Sequence, residues 1–183
     1  MEERGRLRLE WNKNPKVLLS VDNIKEKVKE LGTRISKDYQ GADIVAICLL
    51  RGGFIFTADL VRELEIPVNV DFMTTSSYEH DEISSGMVEI ISDIRTDIRD
   101  KHVLIIDDIM DSGNTMVKVI DLIAQKGPKT IKTCVMLDKP GRREADISPD
   151  YVGFTIPDVF IVGYGLNYGD LYRNIPYIFT FDD

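Results

Sequence analysis

Residues 103–115 read Val-Leu-Ile-Ile-Asp-Asp-Ile-Met-Asp-Ser-Gly-Asn-Thr, and this stretch decides the fold. The apolar run at 103–106 predicts a strand buried on both faces that leaves the sheet at Asp107 and Asp108, ahead of a turn at 111–115 and a helix. Backbone N–H groups at such a turn suit a phosphate. Adjacent carboxylates only accept hydrogen bonds, so they suit sugar hydroxyls or a hydrated metal ion. The stretch therefore predicts a site for a sugar phosphate.

The composition restricts the class of protein but says little about the chemistry that the protein performs. The chain has 183 residues, 43% hydrophobic and 30% charged, which is enough for one α/β domain. Its net charge of -8 argues against a general nucleic-acid binder, although a local basic pocket remains compatible with that balance. No apolar run is long enough to span a membrane, and the first residues lack the apolar core of a secretory signal. A soluble cytoplasmic protein without nucleic-acid or membrane partners is expected, with Cys48 and Cys134 as reduced core thiols.

Helical and strand patterns alternate on both sides of this stretch. Apolar residues at helical spacing predict a helix over 22–40, with Asp22 as its N-cap and Gly41 after its end. The other predicted helices cover 54–64 and 116–125, and the other strands cover 43–50, 68–74, 87–91, 131–137, 151–154, 160–162 and 177–181. This order predicts an open, mainly parallel α/β sheet, with the neighbouring strands at 87–91 and 103–106 forming a hairpin or flap.

Charged residues follow three of the predicted buried strands. Arg51 follows the first, Asp107 and Asp108 the second, and Lys139 the third. Each is ordinary as a solvated strand end, but the carboxyl ends of parallel strands meet at one edge, so together these residues define one ligand-binding face. The chain has no Walker-type loop and no G-x-G-x-x-G after a strand, so nucleotide triphosphate hydrolysis is disfavoured.

Residues 103–115 resemble the phosphoribosyl-diphosphate signature of the purine phosphoribosyltransferases, and most of the chain is similar to the hypoxanthine and hypoxanthine-guanine members of that family. The other matching segments follow in the family's order, and they are Leu50-Arg51-Gly52-Gly53, Ser76-Ser77-Tyr78, Asp138-Lys139-Pro140, residues 159–164 and Arg173. The resemblance implies the type I phosphoribosyltransferase fold: a twisted, mainly parallel sheet flanked by helices. It also implies a single domain over 1–183, with a flap at about 75–100 and a hood formed by about 1–15 and 155–183.

The resemblance also implies an activity. The family transfers the 5-phosphoribosyl group from phosphoribosyl diphosphate to a 6-oxopurine base, so hypoxanthine, guanine or both would give IMP or GMP and diphosphate in purine salvage. Mg²⁺ is the implied cofactor. Because the family commonly forms dimers or tetramers, a homodimer or homotetramer is implied as well.

The resemblance assigns the central stretch to the ribose 5-phosphate. Asp107 and Asp108 would hold the ribose hydroxyls directly or through Mg²⁺, and Asp111 would take or hold the proton on purine N7. The alternative role of Asp111 is to cap the loop. The residues that would bind the 5-phosphate are Asp111, Ser112, Gly113, Asn114 and Thr115.

Other matched residues would surround the diphosphate. Leu50, Arg51 and Gly52 would form a loop in which the family often has a cis non-proline peptide, and Arg173 would reach the same diphosphate as a bidentate cation. Ser77 and Tyr78 would belong to a polar segment that closes over the reacting centre and excludes water. The alternative for that segment is a disordered surface loop.

The purine would be recognised by residues of the last third of the chain. Lys139 would donate to the 6-oxo group, Phe160 would stack on the ring, and the backbone of Ile161 would read the ring edge. As bare sequence, Lys139 could equally be a surface lysine and 160–162 a core strand.

Two positions depart from the family's pattern. Asp107 stands where many relatives carry Glu, which shortens the side chain but keeps its charge. Asn167 stands near the purine 2-position, where an Asp that helps to hold a second Mg²⁺ through water is expected. We expect a weaker second metal site, and a guanine preference does not follow.

Two functions of other classes remain open from sequence. A regulator with this fold would bind nucleotides and RNA, keep the phosphate loop and lose purine-side residues, whereas those residues are present here. A phosphoacceptor signalling domain also has acidic residues at strand ends, but its acids come from different strands, whereas Asp107, Asp108 and Asp111 share one segment.

Overall fold

A computed structural model describes residues 15–77 and 88–181, in which strands and helices alternate along most of the chain. The strands are β1 (Pro15–Leu19), β2 (Ile44–Leu50), β3 (Val68–Ser77), β4 (Val88–Ser92), β5 (His102–Met110), β6 (Thr130–Asp138), β7 (Tyr151–Thr155) and β8 (Ile178–Phe181). The helices are α1 (Val21–Asp38), α2 (Phe54–Arg62) and α3 (Asn114–Ala124), and a 3-10 turn covers Pro140–Arg142. None of the helices in these two ranges is both long and apolar enough to cross a membrane.

Six strands form the central sheet in the order β4-β3-β2-β5-β6-β7. Neighbouring strands run parallel except for β3 and β4, which pair antiparallel. The predicted open, mainly parallel α/β sheet is therefore confirmed. The chain continues from β2 to β3 in one direction and from β5 to β6 in the other, so the strand order reverses between β2 and β5. A ligand crevice is expected at such a reversal.

Each central strand is buried on both faces, which explains its continuous apolar sequence. Successive side chains of a strand point to opposite faces. Ala46 and Cys134 pack in one core cluster with residues of α1 and α2, whereas Val45 and Val135 pack in a second cluster with residues of α3. Cys134 and Cys48 are buried free thiols, as predicted.

The first helix begins one residue earlier than predicted because Ser20, rather than Asp22, is its N-cap. The Ser20 hydroxyl accepts the Asn23 backbone N–H at 3.2 Å, and the Asn23 side-chain oxygen accepts the Ser20 N–H at 3.1 Å. This reciprocal pair is a capping box, which needs side chains three residues apart. Asp22 lies in the first turn, where its charge favours the helix N-terminus.

The predicted pairing of the strand at 87–91 with the strand at 103–106 is wrong. β4 pairs with β3, with Thr75 opposite Ile90 and Ser77 opposite Val88. β5 lies between β2 and β6 and hydrogen-bonds to both, so it has no free edge for a third strand. The hairpin is therefore formed by β3 and β4 at the edge of the sheet.

The two ends of the described chain meet in a second, two-stranded sheet. β1 pairs antiparallel with β8, with Pro15 opposite Phe181 and Val17 opposite Phe179. The strand predicted at 160–162 is wrong, because only Val162 bridges to Phe179 before the chain turns. β1 was not predicted from sequence.

Candidate active site

A crevice opens between β2 and β5 at the carboxyl edge of the sheet. Pairing between these strands ends at Cys48 and Ile106, whereas β5 stays paired with β6 as far as Met110. Asp107 and Asp108 therefore lie inside β5, next to the point where β2 has turned away. The sequence predicted that the strand leaves the sheet at these carboxylates. This is correct for its pairing with β2, which ends at Ile106, and wrong for its pairing with β6, which continues to Met110.

The loop after β2 lies directly against this carboxylate pair. A Cβ atom added to Gly52 would overlap the Asp108 carboxylate, so glycine is required for this close approach. The Leu50–Arg51 peptide is cis, and Arg51 itself is exposed. The loop predicted to bind diphosphate and the predicted ribose-binding acids are therefore neighbours.

Arg173 reaches the same place from the last third of the chain. Its Nη1 donates to the Gly165 carbonyl at 2.6 Å, and the Gly165 N–H donates to the Arg173 carbonyl at 3.0 Å. Gly165 in turn packs so closely on Gly52 that a Cβ atom would overlap the Gly52 carbonyl. The structure thus brings Arg173, Gly52 and Asp108 together from three distant segments.

The carboxylate pair is electrostatically unfavourable by itself. Burial, followed by the charge of Asp108, raises the pKa of Asp107 well above its ordinary value. Burial also raises the pKa of Asp108, although hydrogen bonds from Asp107 and the Ile109 N–H and the charge of Arg173 oppose this shift. A cation or hydroxyl donors placed between the two carboxylates would relieve the strain.

A magnesium ion fits this donor set. In the described parts of the chain, no group of three or more His, Cys, Asp or Glu side chains forms a metal site. Mg²⁺ prefers oxygen ligands, keeps several waters and is commonly held by one or two carboxylates together with substrate phosphates. Asp107 and Asp108 provide that kind of partial site, which a phosphorylated ligand would complete.

The loop from 111 to 113 leads into α3 and leaves its N-terminus open to an anion. Gly113 is the N-cap, has a φ of 86°, and offers no side chain to accept the first-turn N–H groups. A Cβ atom there would lie 2.8 Å from Ile147 Cγ2 and 3.0 Å from Arg143 Cδ. Only residues 111–113 separate β5, which carries the carboxylate pair, from the α3 N-terminus with its partial positive charge.

The polar side chains of this loop are partly engaged within the protein. Ser112 Oγ accepts the Asn114 N–H at 3.3 Å, and Asn114 Nδ2 donates to Glu144 Oε2 at 2.8 Å. Thr115 follows Asn114 as the second residue of the helix, so α3 begins two residues before the predicted start at residue 116.

Arg143 organises the loop, and sequence reasoning missed it. Its guanidinium donates to the carbonyls of Asp111 at 3.0 Å and Ile147 at 2.5 Å, and it also bonds to Met110 and to the Asp138 carboxylate. It is largely buried. The adjacent arginines at 142–143 were the only sequence signal, and the two partners of Arg143 in the loop, Met110 and Asp111, are more than 30 residues away along the chain.

The predicted purine-binding residues form a separate wall beyond β6. Lys139 is buried, and its Nζ donates to the Val159 carbonyl at 2.7 Å. Phe160, which follows Val159 in the chain, is 56% exposed, and its ring centroid lies 5.7 Å from that of Tyr168 in an edge-on arrangement, whereas Ile161 is buried. An exposed aromatic ring beside a buried lysine can stack on a flat ligand while the ammonium binds its polar edge.

Two further predicted positions are not part of this wall as described. Asn167 is exposed and donates to the Gly169 carbonyl within its own turn. Ser77 ends β3, opposite Val88, and Tyr78 lies outside the described residues. The assignment of the closing segment therefore stays a prediction.

Comparisons with known proteins agree with this site. A family model described as the phosphoribosyl transferase domain matches residues 18–169. The chain belongs to the phosphoribosyltransferase family.

Its relatives narrow the class. The chain is 48% identical to a hypoxanthine phosphoribosyltransferase of Buchnera aphidicola, over 89% of this chain and 93% of that protein. It is 46% identical to a hypoxanthine-guanine phosphoribosyltransferase of Bacillus subtilis, over 89% and 91%. A crystal structure of a Staphylococcus aureus hypoxanthine phosphoribosyltransferase matches with a TM-score of 0.90 and 42% identity, covering 95% of each chain. Within the family, the chain thus groups with the hypoxanthine and hypoxanthine-guanine enzymes.

Proposed function

We propose that this protein transfers the 5-phosphoribosyl group from phosphoribosyl diphosphate to hypoxanthine, guanine or both, giving IMP or GMP and diphosphate in purine salvage. The crevice between β2 and β5 carries the proposal, because the acids at 107–108, Gly52 and Arg173 lie together there beside the N-terminus of α3. The names of the relatives support the same chemistry. They give no support to an RNA-binding regulator.

The acids of the crevice hold the sugar in this proposal. Asp107 and Asp108 bind the ribose 2- and 3-hydroxyls, directly or through Mg²⁺, and their negative charge favours the cationic character that the ribose gains as its bond to diphosphate breaks. When bound, Mg²⁺ supplies positive charge that neutralises the diphosphate. The raised pKa values of both acids support this role, since enclosed carboxylates gain most from a nearby cation.

The two phosphate ends of the ligand bind on opposite sides of these acids. The 5-phosphate binds the backbone N–H groups and hydroxyls of residues 111–115 at the α3 N-terminus. The diphosphate binds the loop of Leu50, Arg51 and Gly52 together with the Arg173 guanidinium. The contact of Gly52 with both Asp108 and Gly165 supports this order along the ligand.

The purine binds between Lys139 and Phe160, with Ile161 at the ring edge. A purine nitrogen forms the new bond to ribose C1 while the bond from C1 to the diphosphate oxygen breaks, and the proton lost from the imidazole goes to the Asp111 carboxylate. Lys139 selects a 6-oxo group because an ammonium can only donate, and an amino group there offers no comparable acceptor. Lys139 is buried, and its Nζ already donates one hydrogen bond to the Val159 carbonyl. Both observations support a fixed position for the ammonium group.

Several finer features belong to the same proposal. The flap at about 75–100 would have the β3–β4 hairpin at its base, and the hood of about 1–15 and 155–183 would include β8 and the first residue of β1. Residues 1–14, 78–87 and 182–183 of these segments lie outside the described residues. Asn167 leaves a second Mg²⁺ site weak. The active protein is a cytoplasmic homodimer or homotetramer, which light scattering of the purified protein would test.

A spectrophotometric assay tests the activity directly. Purified protein is given phosphoribosyl diphosphate, Mg²⁺ and one base at a time: hypoxanthine, guanine, xanthine or adenine. We expect nucleotide formation with hypoxanthine, guanine or both, and its loss when EDTA removes Mg²⁺. Absence of turnover with every base would overturn the proposed enzyme. Rapid turnover of adenine would overturn the role of Lys139 alone.

A further inference from the structure

We propose that Arg142 is a positioning residue that holds the Asp111 carboxylate at the purine side of the site. This inference deepens the proposed function and rests on it. Neither the family's motif nor the sequence pattern pointed to Arg142. The observation behind it is an ion pair between the Arg142 Nε and the Asp111 Oδ1, which are 3.2 Å apart.

The Asp111 oxygen in this pair is in an unusual position. Oδ1 is shielded from solvent and has no hydrogen-bond partner, since the approach of Arg142 does not meet hydrogen-bond geometry although the distance is short. A carboxylate oxygen removed from water is unfavourable unless a cation or a donor compensates. Within the described residues, Arg142 is the ion-pair partner that supplies this compensation.

The turn after β6 determines where Arg142 points. The Arg142 N–H donates to the Lys139 carbonyl at 3.1 Å and closes the 3-10 turn that starts at Pro140. The next residue, Arg143, is anchored to the carbonyl of Asp111 and to the carboxylate of Asp138. Arg143 therefore fixes the backbone of Asp111, and Arg142 fixes its carboxylate.

Arg142 also connects Asp111 to the purine wall. Its Nη1 lies 3.6 Å from Asp158 Oδ1, and the same oxygen lies 3.8 Å from the Lys139 Nζ. Four charges of alternating sign thus run from the proton acceptor Asp111 through Arg142 and Asp158 to Lys139. A purine that contacts both Asp111 and Lys139 would meet the two ends of this chain.

The size of the effect is limited by solvent. The Arg142 side chain is 55% exposed and that of Asp111 is 39% exposed, so water and salt screen the pair. We expect loss of the guanidinium to lower kcat about fivefold, which is the effect of an ion pair at the upper end of the exposed range. The KM for phosphoribosyl diphosphate should change less than about twofold, because the 5-phosphate would bind the backbone N–H groups of the loop, and Arg143 rather than Arg142 anchors that backbone.

The first test compares substitutions of Arg142 with a matched control. Arg142→Gln removes the charge, Arg142→Lys keeps it, and Arg34→Gln removes an exposed arginine that lies 4.9 Å from the Tyr151 ring centroid, away from the site. We expect a lower kcat for Arg142→Gln, partial recovery for Arg142→Lys, and wild-type values for Arg34→Gln. Circular dichroism melts check that each variant is folded. Wild-type kcat in folded Arg142→Gln would overturn the inference.

A double-mutant cycle with Asp111→Asn separates this inference from the proposed function. If Arg142 acts through Asp111, Arg142→Gln should have almost no further effect once Asp111 is Asn. An equal loss in both backgrounds would show that Arg142 acts independently of Asp111 and would overturn the inference while leaving the enzyme in place. A wild-type protein inactive with every purine would instead overturn the proposed function and this inference with it.

Discussion

Two aspartates in neighbouring regions of the sheet have opposite electrostatics. Asp71 on β3 accepts three backbone N–H groups, from Phe72 and Arg95 at 2.8 Å and from Thr96 at 2.7 Å. Burial alone would raise the pKa of Asp71, but these hydrogen bonds outweigh it, and the pKa is lowered. Asp107 on β5 is enclosed next to a second carboxylate, and its pKa is raised.

The opposite pKa shifts distinguish Asp71, a carboxylate with a structural role, from Asp107, a carboxylate that is available to a ligand. Asp71 has its negative charge compensated inside the protein, and in return it ties the chain after β4 to β3. Asp107 and Asp108 are compensated only in part, because burial outweighs the N–H groups of Asp108 and Ile109 and the charge of Arg173; the two carboxylates therefore lower the stability of the free protein and gain from a bound cation. Substitutions in the crevice should therefore lower activity without lowering stability, whereas substitution of Asp71 should lower stability with little effect on activity.

The largest effect is expected from neutralising the crevice. The double substitution Asp107→Asn with Asp108→Asn should lower kcat/KM about 1,000-fold, the size associated with loss of preorganised charge stabilisation. Its free energy of unfolding should equal or exceed that of the wild type at pH 7, because two carboxylates with raised pKa values are removed. Steady-state kinetics and urea unfolding measure the two quantities. The exposed Asp121→Asn on α3 serves as the control.

Removal of the β3 carboxylate should have the reverse pattern. Asp71→Ala leaves the N–H groups of Arg95 and Thr96 without their acceptor, and we expect it to lower the free energy of unfolding by about 2 kcal/mol. Activity of the folded variant should stay within about threefold of wild type, since Asp71 is outside the crevice. A stable but inactive variant would break the comparison.

The pH dependence of unfolding distinguishes the two regions by sign. The folded-state pKa of Asp71 is below its ordinary value of 3.8, so its stabilising contribution is present above that value and is lost as pH falls through the folded pKa. When the pH is lowered below about 4, the free energy of unfolding should therefore fall less for Asp71→Asn than for the wild type. The crevice acids have raised pKa values, so their unfavourable contribution at neutral pH should be relieved on acidification. Urea midpoints measured from pH 7 to 3 test both signs.

The smallest effect is expected from adding a carboxylate at residue 167, where the family resemblance implies a second metal site. Asn167→Asp should lower the Mg²⁺ concentration that gives half-maximal activity by about threefold, as an exposed charge contributes less than about 1 kcal/mol. A magnesium titration of activity measures this change. Asn69→Asp on the exposed part of β3 adds the same charge elsewhere and should leave the titration unchanged. Equal titrations of wild type and Asn167→Asp would contradict the weak second metal site.

The sheet and much of the site could be predicted because their signals are local. β2, β5 and β6 are buried on both faces and therefore read as apolar runs, and the acids after Ile106 follow one of these runs directly. Ser20 and Asp22 are both favoured capping residues, and only the reciprocal bond between Ser20 and Asn23 distinguishes them. β1 has an exposed beginning and takes its partner from the other end of the chain, so its sequence carries little strand signal.

The sequence by itself determined which chemical groups the protein has and which of them follow buried strands: two adjacent carboxylates, a small-residue loop and a lysine. Tertiary structure alone decided that Gly52 touches Asp108, that Arg173 joins them through Gly165, and that Arg142 faces Asp111. Periodicity, capping and turn chemistry act over a few residues, whereas these contacts depend on strand order and register, which join segments far apart in the chain. Charges that look alike in the sequence, such as Asp71 and Asp107, consequently differ once their neighbours are in place.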